Sequence, residues 1–142
     1  MKKIFTLFLL LAGAVCTWAA DFTKDDIFYN IIENGKAVEV TFDGETSAES
    51  EEYVGDVVIP ASVTYGGVKY SVTRIGAEAF YGCKSLTSVT IPNTVTVIGN
   101  LAFQNCHSLA TVTVKGNALQ YIGDWAFRSC NALTSIVLPQ SL

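Results

Sequence analysis

The chain has 142 residues, half of them apolar, with 9 Lys+Arg against 13 Asp+Glu and a formal charge of −4. That length and apolar content suit one domain with its own core. Without Lys2 and Lys3 of the leader the balance is 7 basic against 13 acidic residues, a charge of −6, which argues against nucleic acid or an anionic membrane as partner.

The N-terminus reads as a signal peptide over residues 1–19. Lys2 and Lys3 are followed by twelve apolar or small residues, Ile4 to Val15, and then by small residues around Ala19 and Ala20. Thr17 and Ala19 occupy the −3 and −1 positions of a cleavage site. The segment is too short for an anchor, so no membrane insertion is expected after cleavage. Cys16 invites a lipid anchor, but the preceding Gly13-Ala14-Val15 departs from a lipobox, and an unlipidated exported chain is expected.

Residues 20–56 read as a cap and an acidic loop. Asp21 to Asp26 is polar and expected to be loose. Ile27 to Ile32 reads as a strand, Glu33-Asn34-Gly35-Lys36 as a turn whose Asn-Gly pair suits type I′, and Ala37 to Phe42 as a returning strand with Val38, Val40 and Phe42 on one face. This hairpin is expected to cover the open N-terminal end of the repeats that begin at Val57. Between Asp43 and Asp56 lie six acids and no base. Their spacing fits no EF-hand, so a solvated loop is expected in place of a calcium site.

Val57 to Pro60 resembles the end of the strands that recur later and reads as a first rung. The alternating Val63, Tyr65 and Val68, Tyr70, Val72 around Gly66-Gly67 predict a hairpin inserted within residues 57–74. Its tyrosines, Tyr65 and Tyr70, are candidates for a contact surface. A hairpin folded back on the body would use them equally well.

From Ile75 the chain repeats: 75–97, 98–121 and 122–142, with a period of 23 and then 24 residues. Ile-Gly recurs at 75, 98 and 122, Ala-Phe at 79, 102 and 126, and Cys at 83, 106 and 130. A period in the twenties is the mark of a solenoid whose coils bury their apolar sides by stacking. Leu86, Val89 and Ile91 match Leu109, Val112, Val114 and Leu133, Ile136, Leu138 as core-facing strand positions. The Ala-Phe-x-x-Cys segment has the spacing of one helical turn and supplies the opposite wall. The glycines at 76, 99 and 123 are placed where a side chain would be costly.

At these residues the sequence resembles the BspA-type leucine-rich repeats, whose I-G-x-x-A-F-x-x-C-x-x-L-x-x-V-x-I-P pattern runs from Val57 to Leu142. The resemblance implies a mainly β repeat solenoid of parallel strands and short helical turns. It also implies an exported bacterial protein of the cell surface, without catalysis, in a family associated with adhesion to host proteins and other cells.

No catalytic, cofactor or metal site emerges from the residues. Cysteines stacked one per coil point the same way, which suits free thiols packed as small hydrophobes and neither a disulfide nor zinc. His107 shares a slot with Lys84 and Asn131, a surface pattern. The candidate binding surface is Ser88, Thr90, Thr111, Thr113 and Ser135 on an exposed strand face, with Tyr65, Tyr70 and Trp125. The last can anchor a partner or shield the last coil. Expected partners are a host or bacterial surface protein, or a glycan. Self-association through the uncapped last coil is a further expectation, because Leu142 falls inside the third repeat. An envelope scaffold, periplasmic in place of surface-exposed, and an accessory carbohydrate-binding module are the alternative functions.

Overall fold

The computed structural model describes residues 19–43, 52–140 and 142. The leader and most of the acidic stretch therefore lie outside the described residues. Within them ten strands form two sheets: β1 Phe22–Lys24, β2 Ile27–Ile32, β3 Ala37–Thr41, β4 Gly55–Val58, β5 Ser62–Tyr65, β6 Val68–Ile75, β7 Leu86–Ile91, β8 Val97–Ile98, β9 Thr111–Val114 and β10 Tyr121–Ile122. The larger sheet runs β1-β2-β3-β6-β8-β10, with β5 paired to β6, and the smaller runs β4-β7-β9. The chain folds as a repeat solenoid.

Each coil has three walls. The strand from Leu86 is one, and its equivalents stack in parallel, Val89 opposite Val112 and Ile91 opposite Val114, with Val57 of the first rung opposite Val89. The short Val97–Ile98 strand is the second, between Arg74–Ile75 and Tyr121–Ile122. The Ala-Phe-x-x-Cys segment is the third. Its short turns are not continuous helix but chained tight turns, with Ala79 N donating to Gly76 O, Tyr81 N to Glu78 O and Cys83 N to Phe80 O at 2.9 to 3.3 Å. Left-handed residues interrupt the chain of turns at Glu78 and Gly82, at Leu101 and Asn105, and at Trp125 and Ser129. The interruption frees alternate N–H groups for the next coil: Glu78, Phe80 and Gly82 donate to the carbonyls of Asn100, Ala102 and Gln104 at 2.7 to 3.0 Å.

The core is a set of rows. Ile75 and Ile98, Leu86 and Leu109, and Val95 and Leu119 are all at most 1 % exposed. The phenylalanines stack, with ring centroids 4.7 Å apart from Phe80 to Phe103 and 5.1 Å from Phe103 to Phe127. Such pairs add about 1 kcal/mol each beyond area burial. Cys106 Sγ donates to Phe80 O at 2.9 Å and Cys130 Sγ to Phe103 O at 3.0 Å, so the thiols tie coil to coil. The three described cysteines are free. The neighbouring Cys130 thiol and burial hold the Cys106 thiol above its ordinary range, which suits a proton donor.

The glycines serve close approach. A methyl on Gly99 would lie 2.5 Å from Ala77 N, and one on Gly123 2.6 Å from the Gly99 carbonyl carbon. Neither residue has a positive φ, so space, and not a left-handed bend, fixes glycine there.

At the N-terminal end β2 and β3 form the expected hairpin. Asn34 and Gly35 both take positive φ, and Lys36 N donates to Glu33 O at 3.3 Å, as a type I′ turn requires. β3 then pairs in parallel with β6, extending the second wall of the solenoid. Two features differ from the sequence reading. Phe22–Lys24, expected to be loose, is a strand, turned into β2 through Asp25 and Asp26, both left-handed. Tyr53, within the acidic stretch, is buried and continues the aromatic row, its ring 4.4 Å from Phe80. Its hydroxyl donates to Thr41 O at 2.6 Å and accepts from Phe28 N at 3.1 Å, which joins the cap to the first coil.

Two outcomes are expected from urea unfolding. Gly99→Ala forces a methyl into main chain and lowers stability by about 3 kcal/mol, whereas Gly67→Ala, at an open hairpin tip with φ +80°, loses only about 1 kcal/mol. Tyr53→Phe keeps the ring but orphans Thr41 O and Phe28 N, at a cost of about 1–3 kcal/mol; a neutral result would show that water replaces the hydroxyl.

Candidate functional site

Strand alternation turns Leu86, Val89 and Ile91 inward and places Ser88 and Thr90 on the outer face of β7. Parallel register extends the outward positions into two rows. Asp56, Ser88 and Thr111 are opposite one another in one row, and Val58, Thr90 and Thr113 in the other. Val137 bridges to Thr113, which brings Ser135, two residues earlier, level with Thr111. Along each row the spacing is the inter-strand distance of about 4.8 Å, and between rows about 7 Å. The face is rich in hydroxyls and flanked by two exposed apolar side chains, Val58 at 65 % and Val137 at 83 %.

Asp56 supplies the one formal charge in these rows. Its Oδ1 accepts from Ser88 Oγ at 2.6 Å and from Thr87 Oγ1 at 2.9 Å. Those hydroxyls, Ser88 first and Thr87 second, hold its carboxyl below the ordinary range. A fixed carboxylate beside a hydroxyl lattice can accept hydrogen bonds from a docked surface. The face offers no base beside a nucleophile. His107 lies on the turn wall and is exposed, and the cysteines are buried. Among the described residues no group of three His, Cys, Asp or Glu side chains is placed to hold a metal ion.

The structure brings together Ser88, Thr90, Thr111, Thr113 and Ser135 and separates the aromatic candidates from them. Tyr70 is 8 % exposed, packed in the inserted hairpin opposite Val63, and so is withdrawn from any contact surface. Tyr65 is half exposed, but its ring stacks on Phe22 with centroids 4.2 Å apart. The inserted hairpin therefore folds back on the cap. Trp125 stands on the turn wall, 64 % exposed at φ +58°, with the Arg128 guanidinium 4.9 Å from its ring centroid. Sequence reasoning misses Asp56, Val58 and Val137. The alternation of Asp56-Val57-Val58 with Ser88-Val89-Thr90 is the available signal for the first two.

The family model for the BspA type leucine-rich repeat region matches residues 58–142, in six copies. The chain belongs to the BspA-type leucine-rich repeat family. A leucine-rich repeat protein from Bacteroides capillosus is 38 % identical, with a TM-score of 0.71, over 85 % of this chain and 83 % of that one. One from Bacteroides ovatus is 39 % identical, with a TM-score of 0.74, over 86 % of this chain but only 30 % of the other. A leucine-rich cell surface protein from Faecalibacterium prausnitzii is 35 % identical, with a TM-score of 0.65, over 81 % of this chain and 29 % of that one. This BspA-type chain thus spans less than a third of two of these three relatives. No curated protein sequence matches it. BspA-type repeats generally serve as non-catalytic binding scaffolds. Among the described residues no helix is long and apolar enough to cross a membrane.

The Asp56 network is open to direct titration. If Ser88 and Thr87 hold the carboxylate, the double variant Ser88→Ala/Thr87→Ala moves the Asp56 carboxyl resonance to a higher apparent pKa, back toward the ordinary aspartate value. An unchanged titration would show that the hydroxyls are bystanders.

Proposed function

We propose that this protein is an exported, non-catalytic binding module that works at the cell surface and engages a surface protein through the outward face of β4, β7 and β9. The observation that carries the reading is the two-row face itself. It repeats small hydroxyl groups from β7 through β9 to Ser135, and it carries a single carboxylate and an apolar residue at either end. Such a face suits docking of an extended, complementary surface. Catalysis calls for a few unlike groups converging on one point, and this wall supplies like groups in rows.

Export is supported by the leader pattern around Lys2, Lys3 and Ala19, and surface display by the likeness to the cell surface protein of Faecalibacterium prausnitzii. Adhesion to host proteins and to other cells is what family membership adds. A periplasmic scaffold is the competing role, and location separates the two.

Protease shaving of intact source cells is expected to remove the protein, while a periplasmic reporter survives. Retention of the full-length band would transfer it to the envelope interior. For the face, Thr111→Arg/Thr113→Arg is expected to weaken adherence of the labelled protein to host cell layers about tenfold or more, with an unchanged thermal midpoint. Undiminished adherence would move the contact to another wall.

A further inference from the structure

The turn wall carries a second surface, independent of the sheet face. Its two left-handed slots are imposed by the fold, because the N–H at each must turn toward the carbonyl of the next coil: Glu78 N to Asn100 O at 3.0 Å, Leu101 N to Asp124 O at 2.9 Å, and Asn105 N to Arg128 O at 2.9 Å. The second slot holds Gly82, Asn105 and Ser129, small or polar residues that suit such a backbone. The first holds Glu78, Leu101 and Trp125, with φ between +58° and +61°. A bulky side chain in that conformation is strained. The strain at Trp125 falls on a side chain that is 64 % exposed.

Trp125 is paired. Arg128, three residues on, lays its guanidinium 4.9 Å from the indole centroid. The turn beneath them is pinned on both sides, with Arg128 N donating to Trp125 O at 3.0 Å and Arg128 O accepting from Asn105 N. Among the described residues no carboxylate lies within ion-pair distance of Arg128. The main chain that carries the ring and the donor fork is thus held in place before any ligand arrives, which lowers the ordering cost of binding.

We propose that Trp125 and Arg128 form a binding site for a saccharide bearing a carboxylate, of the uronic or sialic acid type, independent of the sheet-face reading. The indole offers a flat apolar face to the C–H side of a pyranose, and the guanidinium offers a two-pronged donor to the acid. The same turn in the neighbouring coils carries Leu101 with Gln104 and Glu78 with Tyr81. A chain of sugars running along the stack therefore meets an amide and then a phenol, groups that bind hydroxyls, while Glu78 repels a second closely spaced acid. That arrangement, with a formal charge of −4 for the whole chain, favours an alternating acidic and neutral saccharide over a dense polyanion.

The test uses a tetrasaccharide of alternating glucuronic acid and N-acetylglucosamine, its carboxyl-reduced form, and an acidic peptide, each followed by the indole N–H resonance of Trp125, assigned with Trp125→Phe. The acidic sugar is expected to shift that resonance at millimolar concentration. Arg128→Gln should weaken it about tenfold, to the level of the reduced form. Trp125→Gly, followed by the backbone amide resonance of Arg128, should abolish binding without lowering the thermal midpoint, because glycine relieves the left-handed strain. The proposal is overturned if the acidic sugar leaves the indole unshifted, if Trp125→Gly binds like the parent, or if the acidic peptide binds as tightly as the sugar.

Discussion

Every coil in this solenoid must hydrogen-bond main chain to main chain with its neighbour on three walls at once. That fixes the coil spacing, and the spacing dictates what each slot can hold. Main chain approaches main chain so closely behind Ile75, Ile98 and Ile122 that only glycine fits at 99 and 123. Flat rings stacked at 4.7 and 5.1 Å fill the core side of the turn wall. A thiol is small enough to sit against the preceding coil and reach its carbonyl. Repetition in the sequence is the trace of one distance repeated in space.

The same constraint shapes the cap. A first coil with no predecessor would leave an aromatic face and a strand edge uncovered. Tyr53 stands in for the missing phenylalanine and, unlike phenylalanine, brings a hydroxyl that ties Thr41 and Phe28 of the cap strands to the stack. The three cap strands extend one wall only, and Phe22 on the outermost of them reaches round to Tyr65 of the inserted hairpin. Burial is deepest midway along the stack and shallower in the third coil, where Leu133 and Ile136 are half-buried and Leu138 is 41 % exposed.

Period made the larger features legible in the sequence. A row that recurs every 23 or 24 residues, and an alternation within it, determine which side chains face the core, so the solenoid, both hairpins and the hydroxyl rows could be read from it. Single events could not. β1 has three residues and a turn of two aspartates, a weaker signal than Asn-Gly, so nothing marks it as a strand. Tyr53 sits among carboxylates, and its burial depends on a phenylalanine 27 positions later. Tyr65 and Tyr70 alternate with their neighbours as any half-exposed strand would, and only the sheet's curl toward Phe22 decides that one is core and the other a stacking partner. Spacing alone suggests a helical turn for Ala-Phe-x-x-Cys. The demand for bonds to the next coil converts it into left-handed tight turns.

On the turn wall the main-chain donors of the tight turns face forward along the chain, from Glu78 to Asn100 and again from Leu101 to Asp124, while the thiols donate back to the preceding coil. Each coil is therefore an adaptor with one kind of socket on either side. A unit duplicated or lost as a whole leaves every neighbour matched to an identical socket, so array length can drift over generations while no contact elsewhere is re-optimised. That this chain covers only 30 % and 29 % of two of its relatives is the kind of outcome such interchangeable parts permit.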